Sequence, residues 1–386
     1  MVKKVCVVVT ARPSYSRIRS ALFALMKYDD IQLQLVVAAS AILETYGKVE
    51  GQIRKDGFII TAEVHNVISG EDVISAAKTT GMGIIELATV FDNIKPDYIV
   101  TIADRYETMA TAIAASYMNI PLIHIQGGEV TGNIDEKVRH AITKLADVHL
   151  VSTPKAKERV IKMGENPDRV YVTGCPSIDI AENVRANYEK LKFDPVKKYN
   201  GVGNLLSDRE RYIVVMEHSV TTSIKEARNQ TREVLEAVES LDKQVYWFWP
   251  NVDAGSDSVS KEIRIHRETG QAKNIYFFKN MSPDDFLVLL MGSECIIGNS
   301  SVAIRECSYL GVPAINIGDR QIGRERGKNV WDCDYSKEMI LEKYKEIISS
   351  PRCERDTLYG DGHAGERIAE VIENLHNITI NKLLTY

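Results

Sequence analysis

The chain has 386 residues, of which 44% are hydrophobic and 26% are charged. This composition is typical of globular proteins and excludes a disordered chain, a collagen-like chain and a lone coiled coil. At roughly 100 to 200 residues per domain, the length predicts two domains. The formal net charge of -5 argues against nucleic acid or an anionic membrane as a partner.

The cysteines are spread along the chain and form no CxxC pair, which predicts neither a zinc site nor a redox pair. They are Cys6, Cys175, Cys295, Cys307, Cys333 and Cys353. The N-terminal apolar run covers only residues 5–9, which is too short for the core of a signal peptide. No stretch approaches the ~18 consecutive apolar residues of a membrane span. We therefore expect a reduced, cytoplasmic protein without a membrane partner.

Short apolar runs rich in β-branched residues recur along the first half of the chain. They cover residues 5–9, 33–39, 98–103, 122–126, 148–153 and 170–174. Runs that are apolar on both faces suit strands buried on both sides of a parallel sheet. The helical patterns at 105–119 and 133–146 then form crossovers, and the alternation predicts a doubly wound α/β domain.

A polar stretch at 193–210 interrupts this alternation, and five further strand-like runs follow it. Two such series predict two Rossmann-like doubly wound domains that face each other across a cleft. The predicted domains are an N-terminal one at 1–192 and a C-terminal one at 193–365. We expect a helix and tail at 366–386 to pack back on the first domain.

Ligands of open α/β sheets bind outside the carboxyl ends of the strands, so the residues that follow each run are the candidates for a site. These segments are 10–16, 104–105, 126–129, 217–218, 250–253 and 298–301. Polar, charged and hydroxyl side chains dominate them. The predicted site is therefore an acidic and hydroxyl-rich rim.

The sequence contains neither a Walker phosphate loop nor a complete GxGxxG motif, which argues against ATP hydrolysis and nicotinamide cofactors. A helix N-terminus can still bind phosphate, and Ser300–Ser301 begins a predicted helix. This pair is either an ordinary cap or a cap that also binds phosphate. Arg12 could clamp the same diphosphate or lie at the surface. Glu306 could accept the hydroxyls of a ribose.

Three acids and one arginine follow the strands of the first domain. Asp104 ends a strand, Glu129 lies in a Gly-Gly loop, and Asp135 and Arg139 share one face of the next helix. A surface salt bridge and a capped turn would explain them separately, but carboxylates in different environments can also carry out acid–base chemistry on one substrate. In the second domain, His218 could protonate a departing phosphate oxygen. No His, Cys, Asp or Glu group has the spacing of metal ligands, and we expect no metal and no cofactor.

Read together, the rim segments resemble one known family. They are ARPSYS, ADRYE, GGEVTGNIDEKVRHAITKLA, GCPS, HSVTT, PNVDAGS, IGNSS, RQIGRERGKNV and YGDG, in order from residue 11 to about 362. This set is similar to the hydrolysing UDP-N-acetylglucosamine 2-epimerases of sialic-acid and legionaminic-acid synthesis. The resemblance implies a GT-B-like fold that binds UDP, and a homo-oligomer, either dimer or tetramer. It also implies cleavage of the anomeric bond to UDP with loss of the C2 proton, a 2-acetamidoglucal intermediate, and hydration to the manno-configured sugar.

By the same resemblance, Asp104, Asp135, Arg139 and His218 match active-site positions. Positions associated with nucleotide or sugar are matched by Arg12, Ser16, Arg105, Asn251, Asp253, Ser300, Ser301, Glu306 and Arg320. The chain departs from the family pattern at Gln126, where several members have a catalytic glutamate. Since an amide cannot exchange protons as a carboxylate does, either Asp104 and Asp135 carry the proton transfers or Glu129 assists them.

The departure at Gln126 also allows a different sugar, UDP-2,4-diacetamido-2,4,6-trideoxyglucose, because this side chain could contact the substrate near C2 or C4. Two further functions stay open at the level of the sequence. A GT-B glycosyltransferase would share the serine phosphate site but needs an acceptor groove. A non-catalytic UDP-sugar sensor would have no need of the acid cluster.

Overall fold

The computed structural model describes residues 2–43, 48–68, 72–132, 134–220, 224–250 and 255–385. The chain divides into two compact units, each built on its own sheet. The first unit comprises Met1–Glu129, Ile134–Asp179 and Tyr359–Tyr386, and the second comprises Val130–Asn133 and Ile180–Leu358. The predicted fold class, an α/β protein with two doubly wound domains, is confirmed.

The first unit alternates strands and helices along most of its length. Its elements are β1 (Lys3–Val9), α1 (Arg12–Leu25), β2 (Ile31–Ala38), α2 (Glu50–Lys55), β3 (Ile60–Val64), α3 (Val73–Ile94), β4 (Tyr98–Ile102), α4 (Tyr106–Tyr117), β5 (Leu122–Ile125), α5 (Ile134–Leu145), β6 (Val148–Val151), α6 (Pro154–Lys162), β7 (Val170–Val172) and the start of α7 (Ser177–Leu191). The strands pair in the order β3-β2-β1-β4-β5-β6-β7, all parallel. The order reverses between β1 and β4, which are therefore the strands of the topological switch point.

The second unit repeats this arrangement. Its elements are the rest of α7, α8 (Pro195–Lys198), β8 (Gly201–Gly203), β9 (Tyr212–Met216), α9 (Ala227–Glu239), β10 (Gln244–Phe248), α10 (Ser256–Glu268), β11 (Ile275–Phe278), α11 (Pro283–Gly292), β12 (Cys295–Gly298), α12 (Glu306–Leu310), β13 (Ala314–Ile317), β14 (Val330–Cys333) and α13 (Lys337–Ile348). The strand order is β14-β13-β12-β9-β10-β11-β8, in which β8 is antiparallel. The switch point here lies between β9 and β12.

Three strands do not appear among the runs predicted from the sequence, namely β3, β8 and β14. Each lies at an edge of its sheet. β3 reads ITAEV and alternates between half-buried and exposed residues, and β8 is only GVG. Edge strands need not be apolar on both faces, so the search for continuous apolar runs passes over them.

The last helix of the chain, α14 (Ala364–Asn374), belongs to the core of the first unit. Ile368 and Ile372 are fully buried there together with Leu22 of α1. Gly365 allows the close approach, since a Cβ at this position would lie 2.6 Å from the backbone of Ser20. The helix α14 therefore packs against α1 in the first unit.

The two units separate at Asp179 and Tyr359, whereas the sequence placed the boundaries at residues 192 and 365. A contact between residues 185 positions apart accounts for this. The Asp179 carboxylate accepts hydrogen bonds from the backbone N–H groups of Ala364 at 2.9 Å and Gly365 at 2.7 Å. It thereby satisfies the free donors at the start of α14 and ties that start to the beginning of α7.

Among the described residues, α3 is the one helix whose length and apolar composition would allow it to cross a membrane. Buried helices of globular proteins pass the same test, so this is weak evidence. α3 packs against α4, and its Ile74 and Ile85 are each 63% exposed. Its outer face therefore presents large apolar side chains.

Candidate active site

The switch point of the first sheet places Arg12 and Asp104 beyond neighbouring strands. Arg12 is the first residue of α1, which follows β1, and no acidic residue lies in the first turn of that helix. Ser16, one turn later, donates its hydroxyl hydrogen bond to the Arg12 carbonyl at 3.2 Å. The positive end of α1 and the Arg12 guanidinium together favour an anion at this end of the sheet.

Asp104 forms an ion pair with Arg139 of α5, and this pair is the centre of the acid cluster. The Arg139 side chain is 1% exposed and that of Asp104 15%. Arg139 also donates to the Glu129 carbonyl at 2.9 Å and to the Glu136 carboxylate at 2.8 Å. The structure thus brings together two predicted site residues, Asp104 and Arg139, that are 35 positions apart in the sequence.

The charge of Arg139 is maintained by its neighbours. Burial alone would lower the pKa of its guanidinium, but the negative charges of Asp104 and Glu129 raise the pKa above its ordinary value. A buried cation with these partners can orient a carboxylate and stabilise negative charge on a substrate. Asp135 lies half-buried in the first turn of the same helix.

Glu129 is 4% exposed, and its carboxylate accepts a hydrogen bond from the Ser152 hydroxyl at 3.0 Å. The loop that carries it requires a glycine at 128, where φ is +75° and a Cβ would lie 2.4 Å from the Ala156 carbonyl oxygen. Arg105, in contrast, pairs with a buried acid: its Nε donates to the Glu107 carboxylate at 3.1 Å. The guanidinium of Arg105 is therefore held beside the end of β4.

Gln126 follows β5 with a φ of +67° and is 2% exposed. Its Nε2 donates to the Cys175 sulfur at 2.9 Å, and the Ser177 hydroxyl lies 2.9 Å from the same sulfur. Its Oε1 is buried and has no hydrogen-bond partner. An unsatisfied buried acceptor costs about 1–3 kcal/mol, so this oxygen is a candidate acceptor for a ligand N–H or O–H.

In the second unit, Asn299 joins the two switch-point strands and fixes the backbone of His218. Its Oδ1 accepts from the His218 N–H at 2.9 Å, and its Nδ2 donates to the His218 carbonyl at 2.7 Å. The Asn299 carbonyl accepts in turn from Arg320 at 3.1 Å and from Gln321 at 2.9 Å. Asn299 lies in the candidate segment 298–301, but the sequence assigned no role to it or to Gln321, because nothing local reveals their distant partners.

The predicted helix after Ser301 is not continuous, which corrects the sequence interpretation. Residues Ser301–Ala303 form one 3-10 turn, and α12 begins only at Glu306. The Ser300 side chain makes no capping hydrogen bond, so the ordinary serine cap is not what the structure has. Ser301 accepts instead from the buried Arg305 guanidinium at 2.9 Å. The backbone leaves the strand extended at Ser300, with φ -80° and ψ 143°.

Glu306 is 7% exposed, and its Oε2 has no hydrogen-bond partner. Its closest cationic atom is the Arg305 Nε at 3.9 Å. A buried carboxylate with a free oxygen can accept a hydroxyl donor of a ligand. Asn251 and Asp253, which the sequence also proposed for the site, lie outside the described residues.

Glu217, which lies in the candidate segment 217–218 but was given no role there, is a buried acid that follows β9. It is 2% exposed, and the Thr231 hydroxyl lies 3.4 Å from its carboxyl group. Burial raises the pKa of Glu217 to about 8 because a carboxylate is disfavoured there, and the Thr231 hydroxyl lowers it only slightly. The side chain is therefore a neutral acid at physiological pH.

This shift gives a pH-dependent stability that Glu217→Gln should remove. Because the pKa is higher in the folded state than in the unfolded state, the unfolded chain loses its proton first as the pH rises from 4.5 to about 8. The free energy of unfolding then falls by up to ~1.4 kcal/mol per pH unit across that window. Urea unfolding at pH 5.5 and pH 8 should show Glu217→Gln to be more stable than the wild type at pH 8. Equal pH dependence in the two proteins would contradict this.

Within the described ranges, no group of three or more His, Cys, Asp or Glu side chains could hold a metal ion. None of the six cysteines, all of which lie in the described ranges, forms a disulfide, and five of them are buried.

These features define a two-domain, GT-B-like α/β protein with polar clusters at both switch points. Solved UDP-GlcNAc 2-epimerases share the fold. The structure from Methanocaldococcus jannaschii, in complex with UDP-GlcNAc and UDP, has a TM-score of 0.79 at 19% identity and covers 96% of this chain and 99% of its own. The one from Neisseria meningitidis, bound to UDP-GlcNAc, has a TM-score of 0.79 at 20% identity and covers 96% of this chain and 100% of its own.

The sequence identifies the family. Residues 24–373 match the model of the UDP-N-acetylglucosamine 2-epimerase family, and the chain belongs to this family. A UDP-N,N'-diacetylbacillosamine 2-epimerase (hydrolyzing) from Legionella pneumophila is 30% identical over the full length of both chains. Polysialic acid biosynthesis protein P7 from Escherichia coli is 34% identical and covers 90% of this chain and 89% of its own. The resemblance described from the motifs is thus confirmed, and the chain is an enzyme of the UDP-N-acetylglucosamine 2-epimerase family.

Proposed function

We propose that this enzyme converts UDP-GlcNAc and water into UDP and N-acetylmannosamine. The observation that carries the proposal is the Asp104–Arg139 pair with Glu129 at the carboxyl edge of the first sheet, in a chain whose relatives are named 2-epimerases. The C2–H bond and the anomeric C1–O bond to UDP break, which leaves a 2-acetamidoglucal. Water then adds its hydroxyl to C1 and a proton to C2 from the opposite face.

The acids of the first unit are assigned to the sugar and the groups of the second unit to UDP. Asp104 and Asp135 move the C2 proton, and Glu129, held by Ser152, assists them because Gln126 cannot. Arg139 holds Asp104 in position. His218 acts on the departing phosphate oxygen, which carries the charge that develops as the C1–O bond breaks. For the diphosphate we assign Ser300 and Ser301 with Arg12 and Arg320, and for the ribose Glu306.

The decisive experiment is incubation of the purified protein with UDP-GlcNAc alone, with UDP and free amino sugar followed by NMR. Release of UDP and N-acetylmannosamine without an acceptor supports the proposal. Release of UDP only after an acceptor is added indicates a glycosyltransferase. Binding of UDP-GlcNAc without any turnover indicates a sensor.

A second substrate is supported by Gln126. Its buried Oε1 lacks a donor, and the N–H of a second acetamido group would supply one. The relatives from Legionella pneumophila and Campylobacter jejuni are named for UDP-N,N'-diacetylbacillosamine. Measurement of kcat/KM on UDP-GlcNAc and on UDP-2,4-diacetamido-2,4,6-trideoxyglucose side by side decides between the two substrates. The substrate with the higher kcat/KM is the preferred one.

Ser301→Ala and Arg12→Ala should weaken UDP binding roughly 10- to 100-fold, because a hydrogen bond to a charged group is worth about 1.5–3 kcal/mol. The effect should appear in the Kd for UDP and in KM more than in kcat, since ground and transition states share the diphosphate contacts. Calorimetric titration with UDP measures it. Ser350→Ala, at an exposed hydroxyl beyond α13, is the matched control. An unchanged Kd would place the diphosphate elsewhere.

The proposed setting is a homo-oligomer in the cytoplasm. Free cysteines suit a reducing compartment. The exposed apolar side chains of α3, among them Ile74, Met82 and Ile85, suit a contact with a second copy. Light scattering on the purified protein gives its mass, and a monomer at all concentrations would exclude this contact.

A further inference from the structure

His124 lies at the centre of β5, is fully buried, and makes two hydrogen bonds to groups beside the acid cluster. Its Nε2 is 2.9 Å from the carbonyl oxygen of Ala103, the residue before Asp104. Its Nδ1 is 3.2 Å from the hydroxyl of Thr143 on α5. A carbonyl oxygen only accepts, so Nε2 carries the proton and Nδ1 of the neutral ring faces the Thr143 hydroxyl with its lone pair.

These contacts form a ring with the Asp104–Arg139 pair. The Thr143 hydroxyl donates to the Arg139 carbonyl at 3.0 Å, one turn earlier on α5, and Nδ1 of His124 competes for the same single proton. The Arg139 guanidinium pairs with Asp104, and Asp104 follows Ala103 in the chain. The ring thus joins the end of β4 to α5 through the imidazole of His124, and each of its members is at least partly buried.

The bond to Ala103 acts at a strained point. Ala103 has a φ of +70°, in the left-handed region that alanine disfavours. This turn ends β4 and directs Asp104 away from the strand. Without a hydrogen bond at its carbonyl, the chain would relax toward an extended conformation and move the Asp104 carboxylate.

The environment keeps the imidazole neutral. Burial lowers the pKa of His124 to about 3, and the Ala103 carbonyl offsets this only in part. The charged and titratable groups around it are Asp104 beyond β4, Arg139 on α5 and His149 on β6. The imidazole therefore donates at Nε2 throughout the working pH range and takes no part in proton transfer.

We propose that His124 is a positioning residue, whose Nε2–H holds the left-handed turn at Ala103 and thereby sets the geometry of the Asp104–Arg139 pair. The inference rests on the proposed function, since that pair is assigned to the transfer of the C2 proton. It goes beyond that function by assigning a role to a residue that does not touch the substrate. A displacement of about 1 Å at a reacting group can cost on the order of 100-fold in rate.

The test uses side chains that keep or lose the Nε2–H. His124→Asn is too short to reach the Ala103 carbonyl and should lower kcat roughly 10- to 100-fold. KM and the Kd for UDP should stay within about twofold, because the nucleotide contacts are unchanged. His124→Gln places an N–H at the Nε2 position and should recover most of kcat with an unchanged pH–rate profile. Thr143→Val, a milder change at the other end of the bridge, should lower kcat less than His124→Asn does.

A second pair of variants tests the role of strain. Ala103→Gly removes the cost of the positive φ, so His124→Asn/Ala103→Gly should regain a measurable share of kcat and of the melting temperature lost in His124→Asn. If His124→Asn lowers the melting temperature but leaves kcat unchanged, His124 is a core residue only and the proposal is wrong. The proposal is also wrong if the effects of Ala103→Gly and His124→Asn on kcat and on the melting temperature simply add in the double variant.

A readout without substrate separates this inference from the proposed function. The ¹⁵N signals of the His124 ring, assigned by their loss in His124→Gln, should show the neutral Nε2–H tautomer from pH 6 to pH 8. An Nδ1–H tautomer or a titration in that range would overturn the bridge. If the wild type turns over no UDP-2-acetamido sugar, the proposed function fails, while the ring signals and the melting temperatures of the Ala103 and His124 variants still decide whether the bridge exists.

Discussion

Asp104→Asn is expected to lower turnover of the UDP-2-acetamido sugar by roughly 100- to 10,000-fold, the usual cost of losing a proton-transfer group. The substitution keeps the size of the side chain and an oxygen that can face Arg139, but an amide cannot accept the C2 proton. The Kd for UDP should stay within about threefold, because no nucleotide contact is removed. Initial rates of UDP release and calorimetric titration with UDP measure the two quantities.

Glu136→Gln is the matched control for this variant. Glu136 is also a carboxylate partner of Arg139, at 2.8 Å, and it is more exposed than Asp104. Its loss changes the charge around Arg139 without removing a group assigned to proton transfer, so turnover should fall only a few-fold. If Asp104→Asn keeps near-normal turnover, or if both variants fail to the same extent, Asp104 serves to hold Arg139 and is not a proton-transfer group. Asp135→Asn is tested in the same way.

His218→Ala is expected to slow UDP release from the UDP-sugar severely while sparing the later hydration step. Charge develops on the β-phosphate oxygen as the anomeric bond breaks, and a positioned imidazolium lowers the barrier for that step only. Removal of one such donor costs on the order of 100- to 1,000-fold in rate. The backbone at 218 should remain in place, because Asn299 holds both its N–H and its carbonyl.

The hydration half of the reaction isolates this role. The variant is given 2-acetamidoglucal in the presence of UDP, and formation of the free amino sugar is followed. His218→Ala should hydrate the glucal faster than Asp135→Asn does, since the proton delivered to C2 comes from the acids of the first unit. Equal failure of the two variants in this assay would show that His218 acts on the sugar as well, and the division of roles would be wrong.

The sequence by itself determined the central strands, the class of fold and the family. The strands β1, β4, β9 and β12 are continuous apolar runs, and their neighbours in the chain, Arg12, Asp104, His218 and Ser301, are consequently placed at the carboxyl edges of the sheets. A strand that is buried on both faces is apolar at consecutive residues, so it can be recognised from the sequence alone. The residues that follow such a strand are then placed at the carboxyl edge of the sheet.

Only the tertiary structure decided how these residues are held. The Asp104–Arg139 pair, the clamp of Asn299 on His218 and the His124 bridge join positions 35, 81 and 21 residues apart, and no local pattern specifies such partners. The edge strands and the capping of α14 by Asp179 also became visible only in the tertiary structure. Each depends on contacts with another element of the fold. Periodicity and spacing report the faces of one element, whereas hydrogen bonds between elements exist only once the sheets and helices have assembled.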